Sequence, residues 1–171
     1  MTDFFNKADL SRNDAEKIIS ETLNNCDDGE LYLENSKSES IVLDDGKIKN
    51  STYSSDLGYG LRAVTSEVVA YSHSNEISKN SLKQSADNLS STLKSKKGIY
   101  NHEIPKTNGQ FYKNINPIEE KSLQSKLELL KEVNNYTRAK SGIVHQVSAS
   151  FSGEHKSIEI IRSGGEVLTD V

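Results

Sequence analysis

The sequence predicts an α+β fold. It reads as a two-layer, mostly antiparallel meander sheet with packed helices, followed by a helix and the start of a second antiparallel β unit. Three observations carry this. Apolar residues recur at helical spacing in stretches near residues 11–23, 75–93 and 122–133. Short runs rich in β-branched and aromatic residues lie between and after them. Hairpin-type pairs, Asp45-Gly46 and Gly164-Gly165, separate several of those runs, and strands joined by such short turns pair antiparallel.

The first helix is expected to start at Ser11, whose hydroxyl can cap it, with Asp14 in the first turn where the helix dipole favours an anion. Ala15, Ile18, Ile19 and Leu23 form its apolar stripe, and Asp27-Asp28-Gly29 should end it. Glu30-Leu31-Tyr32-Leu33-Glu34 alternates as a strand, and Ser40-Ile41-Val42-Leu43 reads as another. Asp44-Asp45-Gly46 then turns into Lys47-Ile48-Lys49.

Residues 56–64 read Asp-Leu-Gly-Tyr-Gly-Leu-Arg-Ala-Val. As a strand they place Tyr59, Leu61 and Ala63 on one face and Gly58, Gly60, Arg62 and Val64 on the other. Thr65-Ser66-Glu67 turns into Val68-Val69-Ala70-Tyr71, giving four or five meandering strands. Tyr59, Leu61, Ala63, Val69 and Tyr71 are the expected core of this sheet.

A second helix is expected from a cap at Asn75, with Ile77, Leu82, Ala86, Leu89 and Leu93 as its stripe. Residues 96–117 lack periodicity and hold both prolines, so they read as a linker or long loop. Ser122 caps a third helix with Leu123, Leu127, Leu130 and Val133 on one side. Residues 143–151, 157–161 and 166–169 then read as strands, with turns at Gly153-Glu154 and Gly164-Gly165. The expected organisation is an N-terminal α+β domain over 1–95, a linker over 96–117, and a helix with hairpin strands over 118–171 that begins a truncated next domain.

Composition narrows the function. The net charge of −4 gives no bulk attraction to nucleic acid or anionic membranes. No apolar stretch long enough for a membrane helix and no secretory leader pattern is seen, so the expected location is the cytoplasm. The single cysteine, Cys26, forms no internal disulfide, and its acidic neighbours Asp27 and Asp28 disfavour a reactive thiolate.

The candidate chemistry is sparse. Gly58-x-Gly60-x-x-Ala63 resembles a dinucleotide fingerprint, but a turn and a β-branched run follow it, so no helix N-terminus is available for a pyrophosphate. Its glycines are better explained by close packing of a helix or another backbone. His102-Glu103 begins a helical zinc motif, yet Lys106 and Thr107 stand where a second histidine belongs. His145 and His155 lie across a predicted hairpin without an evident third ligand. No serine sits in a nucleophile elbow, and Ser152-Gly153-Glu154-His155 is too local to form a triad. No catalytic residue and no metal ligand is assigned to this chain.

An ordered series of segments resembles a known family. Gly29-Glu-Leu-Tyr-Leu-Glu, Glu39-Ser-Ile-Val-Leu-Asp-Asp, Gly58-x-Gly60-x-Arg62-Ala63, Glu76-Ile77-Ser78 and Gln84-Ser85-Ala86 are similar to the N-terminal region of the TldD/PmbA family, closer to its TldD branch. Asn116-Pro117, Ser122, Lys126-Leu127, Leu130 and the run Val147-Ser-Ala-Ser-Phe-Ser-Gly153 resemble the next TldD region at matching spacing. The family often has glycine in the turn where Ser66 stands here.

That resemblance implies cytoplasmic zinc metallopeptidases, long labelled modulators of DNA gyrase, acting as a TldD–PmbA heterodimer on peptides or unfolded segments. It also implies that zinc is bound by an H-E-x-x-x-H motif and a later cysteine in the C-terminal part. No such motif occurs here, so the chain is expected to be an inactive N-terminal portion that shapes a substrate chamber and contacts a PmbA-like subunit or a second copy of itself. The alternative is a stand-alone, non-catalytic module that captures a partner or peptide along the edge strand 166–169. Arg62, with Gly58 and Gly60, is the candidate contact for substrate or partner, but the favoured role of Arg62 is an ion pair with an acid such as Glu39.

Overall fold

The structure is a computed structural model and describes residues 4–6, 9–93, 113 and 115–171. In chain order it contains α1 (Arg12–Leu23), β1 (Asp28–Asp44), β2 (Lys47–Thr65), β3 (Val68–Ser74), α2 (Lys79–Leu93), α3 (Pro117–Glu120), α4 (Leu123–Lys140), β4 (Ser148–Arg162) and β5 (Val167–Asp170). The strands form one antiparallel sheet in the order β3-β2-β1-β4-β5. The expected α+β class is therefore the observed one.

The strands are fewer and longer than the sequence pattern implied. Residues 30–34 and 40–43 belong to the single strand β1, and 47–49 and 56–64 to β2. The polar residues between these runs keep the extended backbone, because ladder hydrogen bonds come from the main chain whatever the side chain. The β1–β2 turn is Asp45-Gly46, with φ of 51° and 75° as a tight two-residue hairpin requires. Gly153-Glu154 is likewise not a turn but lies inside β4, where Gly153 has no left-handed φ. Residues 143–147 precede that strand, and Ile143 is exposed.

The chain divides into two compact units. The first comprises Met1–Asn35, Asp56–Lys113 and Ser157–Val171. One face of its sheet, here the inner face, is covered by α1 and α2. Leu31 and Leu33 of β1, Tyr59, Leu61 and Ala63 of β2, Ala70 of β3 and Ile161 of β4 bury there against Ala15, Ile19 and Leu23 of α1 and Leu82, Ala86 and Leu89 of α2. Ser11 caps α1 by accepting from the Asp14 N–H, as expected. The helix ends at Leu23, and Gly29 is already in β1. A Cβ on Gly29 would come within 2.7 Å of Leu23 Cδ2, so that glycine lets α1 lie close on the strand.

Helix α2 starts at Lys79 rather than near Asn75, because Ser78 supplies the cap: its Oγ accepts from the Ser81 N–H. Ile77 is buried but precedes the helix. Polar contacts also cross this interface. The Tyr59 hydroxyl lies 2.8 Å from Ser81 Oγ and 3.0 Å from Ser85 Oγ, and Ser72 Oγ donates to Ser85 Oγ.

Two expected core residues are not in the core. Val69 and Tyr71 are 60 % and 64 % exposed, while Ala70 between them is buried. The two-residue turn Ser66-Glu67 pairs Thr65 with Val68, which sets Ala70 opposite Ala63 and Tyr71 opposite Arg62. A shift of one position moves a strand residue to the other face.

The second unit comprises Ser36–Ser55 and Asn114–Lys156. Ile41 and Leu43 of β1, with Ala149 and Phe151 of β4, pack on Leu127 and Leu130 of α4. Ser122 caps α4 as expected, but Leu123 and Val133 are exposed. The buried stripe is Lys126, Leu130 and Asn134. Lys126 tolerates burial because its ammonium donates to Glu39 Oε1 at 2.5 Å and to the Ile118 carbonyl at 2.6 Å, and sits 5.7 Å from the Phe151 ring centroid.

Candidate functional site: a tyrosine-walled cleft on the outer sheet face

The outer face of the first unit's sheet carries the residues that alternate with its core. Tyr32 and Glu34 stand on β1, Asp56, Gly58, Gly60 and Arg62 on β2, and Tyr71 and His73 on β3. Where β2 meets the end of β3, Tyr32, Glu34, Asp56, Gly58, Gly60 and Tyr71 from this face line a cleft of about 200 Å³. Gly58 and Gly60 belong to its lining; Tyr32 and Tyr71 supply apolar surface, and Glu34 and Asp56 supply carboxylates.

The glycines have separate reasons. A Cβ on Gly58 would lie 2.8 Å from the Ser74 carbonyl oxygen and 3.3 Å from Asn75 Cα, so backbone approaches backbone there as expected. A Cβ on Gly60 would run into the Tyr71 hydroxyl and lie 3.0 Å from its ring. Gly60 therefore makes room for an aromatic side chain rather than for a helix. Tyr71 in turn stacks on His73, with centroids 5.9 Å apart and planes 28° apart.

Tyr32 donates its hydroxyl hydrogen to Glu34 Oε2 at 2.6 Å. Burial, then the hydrogen bond and charge of Glu34, push its phenol well above the usual range. The phenol keeps its proton and the ring is held in place.

Arg62 is not in the lining. Its Nη2 donates to Asp28 Oδ2, and its Nε donates to Glu30 Oε1 at 3.3 Å. Burial works against the guanidinium's charge, but the hydrogen bond and field of Asp28, with Glu30 behind it, outweigh this and hold its pKa above normal. Glu39, the acid named as its example partner, pairs with Lys126 instead. Sequence reasoning found the two glycines but not Tyr32, Glu34 or Asp56. Strand alternation was the signal that could have found them, since it puts Glu30, Tyr32 and Glu34 on the polar face of their strand.

For metals, His102-Glu103 lies outside the described residues. Among the described residues no three His, Cys, Asp or Glu side chains are placed to hold an ion. The described residues thus do not fit a zinc ion. Cys26 is a free thiol, 3.9 Å from the Thr22 carbonyl oxygen. Among the described residues no helix is long and apolar enough to cross a membrane.

Comparison with known proteins places the chain. Residues 29–93 match the family model for PmbA/TldA metallopeptidase domain 1. The metalloprotease TldD homolog of Buchnera aphidicola from Acyrthosiphon pisum is 33 % identical over 146 residues, covering 85 % of this chain. That of Haemophilus influenzae is 33 % identical over 153 residues, covering 86 %. The chain spans only 30 % and 31 % of these relatives' lengths.

Solved structures agree at the level of the fold. A protein from Bacteroides thetaiotaomicron named as a DNA gyrase modulator superposes with a TM-score of 0.68 at 17 % identity, over 92 % of this chain and 38 % of its own. TldE from Thermococcus kodakarensis gives 0.60 at 14 % identity, over 92 % of this chain and 37 % of its own. The ordered sequence segments, the family-model match and the shared fold lead to one conclusion: the chain belongs to the TldD/PmbA family and corresponds to the N-terminal region of its TldD branch.

Proposed function

We propose that this chain is the N-terminal portion of a TldD-like zinc metallopeptidase acting on peptides or unfolded segments in the cytoplasm. The observation that carries the reading is the match of 85 % of the chain to less than a third of a TldD homolog. In this reading the metal-binding and catalytic groups come from sequence other than these 171 residues, which contain no H-E-x-x-x-H. The first unit supplies a wall of the substrate chamber through its outer sheet face, where Gly58, Gly60 and Arg62 lie. The partner is a PmbA-like subunit; self-association is the other arrangement.

The test incubates the purified chain with zinc and an unstructured peptide. No specific cleavage is expected, and specific cleavage abolished by a chelator would overturn the reading. Sedimentation of the chain with and without a PmbA-like subunit tests the partnership, which predicts a heavier species in the mixture.

A second reading is supported by the sheet order, in which β3 and β5 stand at the two edges. A stand-alone module could capture an extended peptide along either one. Binding of peptide by the chain with no PmbA-like partner and no contribution to cleavage would favour it.

A further inference from the structure

We propose that α4 carries a self-complementary face through which two copies of the chain pair, helix against antiparallel helix. The inference concerns these 171 residues themselves and does not rest on the peptidase reading.

The buried row of α4 is Lys126, Leu130 and Asn134. Leu129, Val133 and Tyr136 form a second row, since residues four and three apart share a helix face. Leu129 and Val133 each stand one position before a buried residue, which sets this row about 100° round the helix from the first. Leu129, Val133 and Tyr136 are 48 %, 42 % and 65 % exposed. A solvated helix face is normally polar, yet here the exposed row is apolar while the buried one holds a lysine and an asparagine. The excess extends beyond the helix. Among the described residues of the second unit, more large apolar side chains are exposed than buried. A unit this small gains little from its own core, and covering the row adds the apolar burial it lacks.

Spacing and charge name the cover. Leu129, Val133, Tyr136 and Lys140 follow at intervals of four, three and four, the alternation of a coiled-coil seam. Lys140 ends the row with its ammonium 4.5 Å from the Tyr136 ring centroid, so its stem runs along the row. Glu128 and Glu132, both exposed, border the row at its other end, beside Leu129. Glu128 accepts a hydrogen bond from Gln124 on the same helix, and that neutral donor leaves its charge in place. The face thus runs from acidic through apolar to basic. Turned end for end about a two-fold axis between Val133 and Tyr136, it is its own complement. Val133 of each copy meets Tyr136 of the other, and the Lys140 stem covers Leu129 of the other copy. The Lys140 ammonium then reaches the Glu128 and Glu132 that border that leucine. Parallel pairing would instead set Lys140 against Lys140 and align the two helix dipoles. Arg138, the other cation of the last turn, is held by Asp45 and the Asn134 side chain on its own copy. Any other partner would need the same acidic, apolar and basic order on its surface; a second copy already has it.

The experiment is sedimentation equilibrium of the chain over a wide concentration range, with far-ultraviolet circular dichroism to confirm folding. A reversible monomer–dimer equilibrium is expected. It should be weak, because one short row per copy is small beside the roughly 800 Å² per partner of standard interfaces. Val133→Glu, at an exposed position, should weaken the dimer about tenfold or more and leave the helix signal unchanged. Lys140→Glu should weaken it several-fold, and adding Glu128→Lys with Glu132→Lys in the same chain should restore it, since the reversed charges again meet their opposites. A chain that is monomeric at every concentration would overturn the proposal. So would a dimer indifferent to Val133→Glu, or a charge reversal that fails to restore pairing. Hydrogen exchange of the amides 129–136 separates the remaining occupant: protection by a PmbA-like subunit, with none from concentrating the chain alone, would assign the face to that subunit and refute pairing of copies.

Discussion

Arg12 on α1 grips Glu159 on β4 with both terminal guanidinium nitrogens, at 2.5 and 2.9 Å, although the two residues lie 147 positions apart. Glu159 is 2 % exposed and sits in the inner face of the sheet, whereas Arg12 is 41 % exposed and also lies 5.0 Å from the Phe5 ring centroid. The pair ties the first helix to a strand laid down at the far end of the chain.

Arg12→Ala leaves the buried carboxylate without its main partner, and an expected loss of about 2 kcal/mol allows for water reaching Glu159 from the exposed side. Adding Glu159→Leu should recover part of that loss, since the unpaired charge is then gone. Urea midpoints of the two variants check this; a double variant weaker than the single one would refute it.

Gly58→Ala and Gly60→Ala should differ although the residues are two apart on one face. At Gly58 the obstacle is the Ser74 backbone carbonyl, so the substitution should cost about 1–3 kcal/mol. At Gly60 the obstacle is the end of an exposed tyrosine that can swing away, and alanine's lower unfolded-state entropy offsets the strain to within about 1 kcal/mol. Thermal melts of both variants give the comparison.

Tyr32 should ionise above the ordinary range of a phenol. Its pKa is raised in the folded state by burial first and Glu34 second, so its contribution to stability is complete below the unfolded value near 10 and is lost as pH climbs beyond it. Ultraviolet titration should show a phenol that lags a free tyrosine, and Tyr32→Phe should remove that lagging phenol. A variant whose titration curve keeps the lagging phenol would contradict the assignment.

Arg62→Ala should cost about 1 kcal/mol through loss of its two ion pairs and the packing of its stem. Any partner or peptide binding should change less than the melting temperature does. An unchanged melt with lost binding would reverse the ranking and make Arg62 a contact residue.

Ser66 occupies a left-handed conformation, φ 55°, at the turn between β2 and β3. Its N–H donates to Asp27 Oδ2 at 2.5 Å, a backbone bond that glycine would keep. Ser66→Gly removes strain of about 1 kcal/mol and adds unfolded-state entropy of similar size, so a small net gain of up to about 0.5 kcal/mol is expected by chemical denaturation.

What could be read in the sequence follows from how local each signal is. The caps at Ser11 and Ser122 and the stripe of α2 were legible because they depend on residues within a few positions. The faces of Tyr59, Leu61 and Ala63 were legible for the same reason. The exposure of Val69 and Tyr71 was not, because it depends on the count of residues in one turn, and reading three instead of two reverses the whole strand. The length of β1 and β2 was hidden by polar stretches that ladder hydrogen bonds tolerate. The buried face of α4 was hidden because Lys126 reads as a surface residue until Glu39, 87 positions away, supplies its counter-charge. In the cleft, Gly58 and Gly60 announced themselves by type, while Tyr32, Glu34 and Asp56 matter only through neighbours on other strands.

The hydroxyls of Tyr59, Ser72, Ser81 and Ser85 set a further rule for α2. Leucine packing alone is forgiving: a helix can slide along a sheet by a turn and exchange one apolar contact for another at small cost. A hydroxyl cannot make that exchange, because each has one proton to give and a narrow range of directions in which to give it. With Ser72 donating to Ser85, the order of donors and acceptors around Ser85 is partly dictated, and a displaced helix would bury those groups unmatched. These four oxygens act as an index mark between helix and sheet, selecting one alignment among several that greasy surfaces would accept.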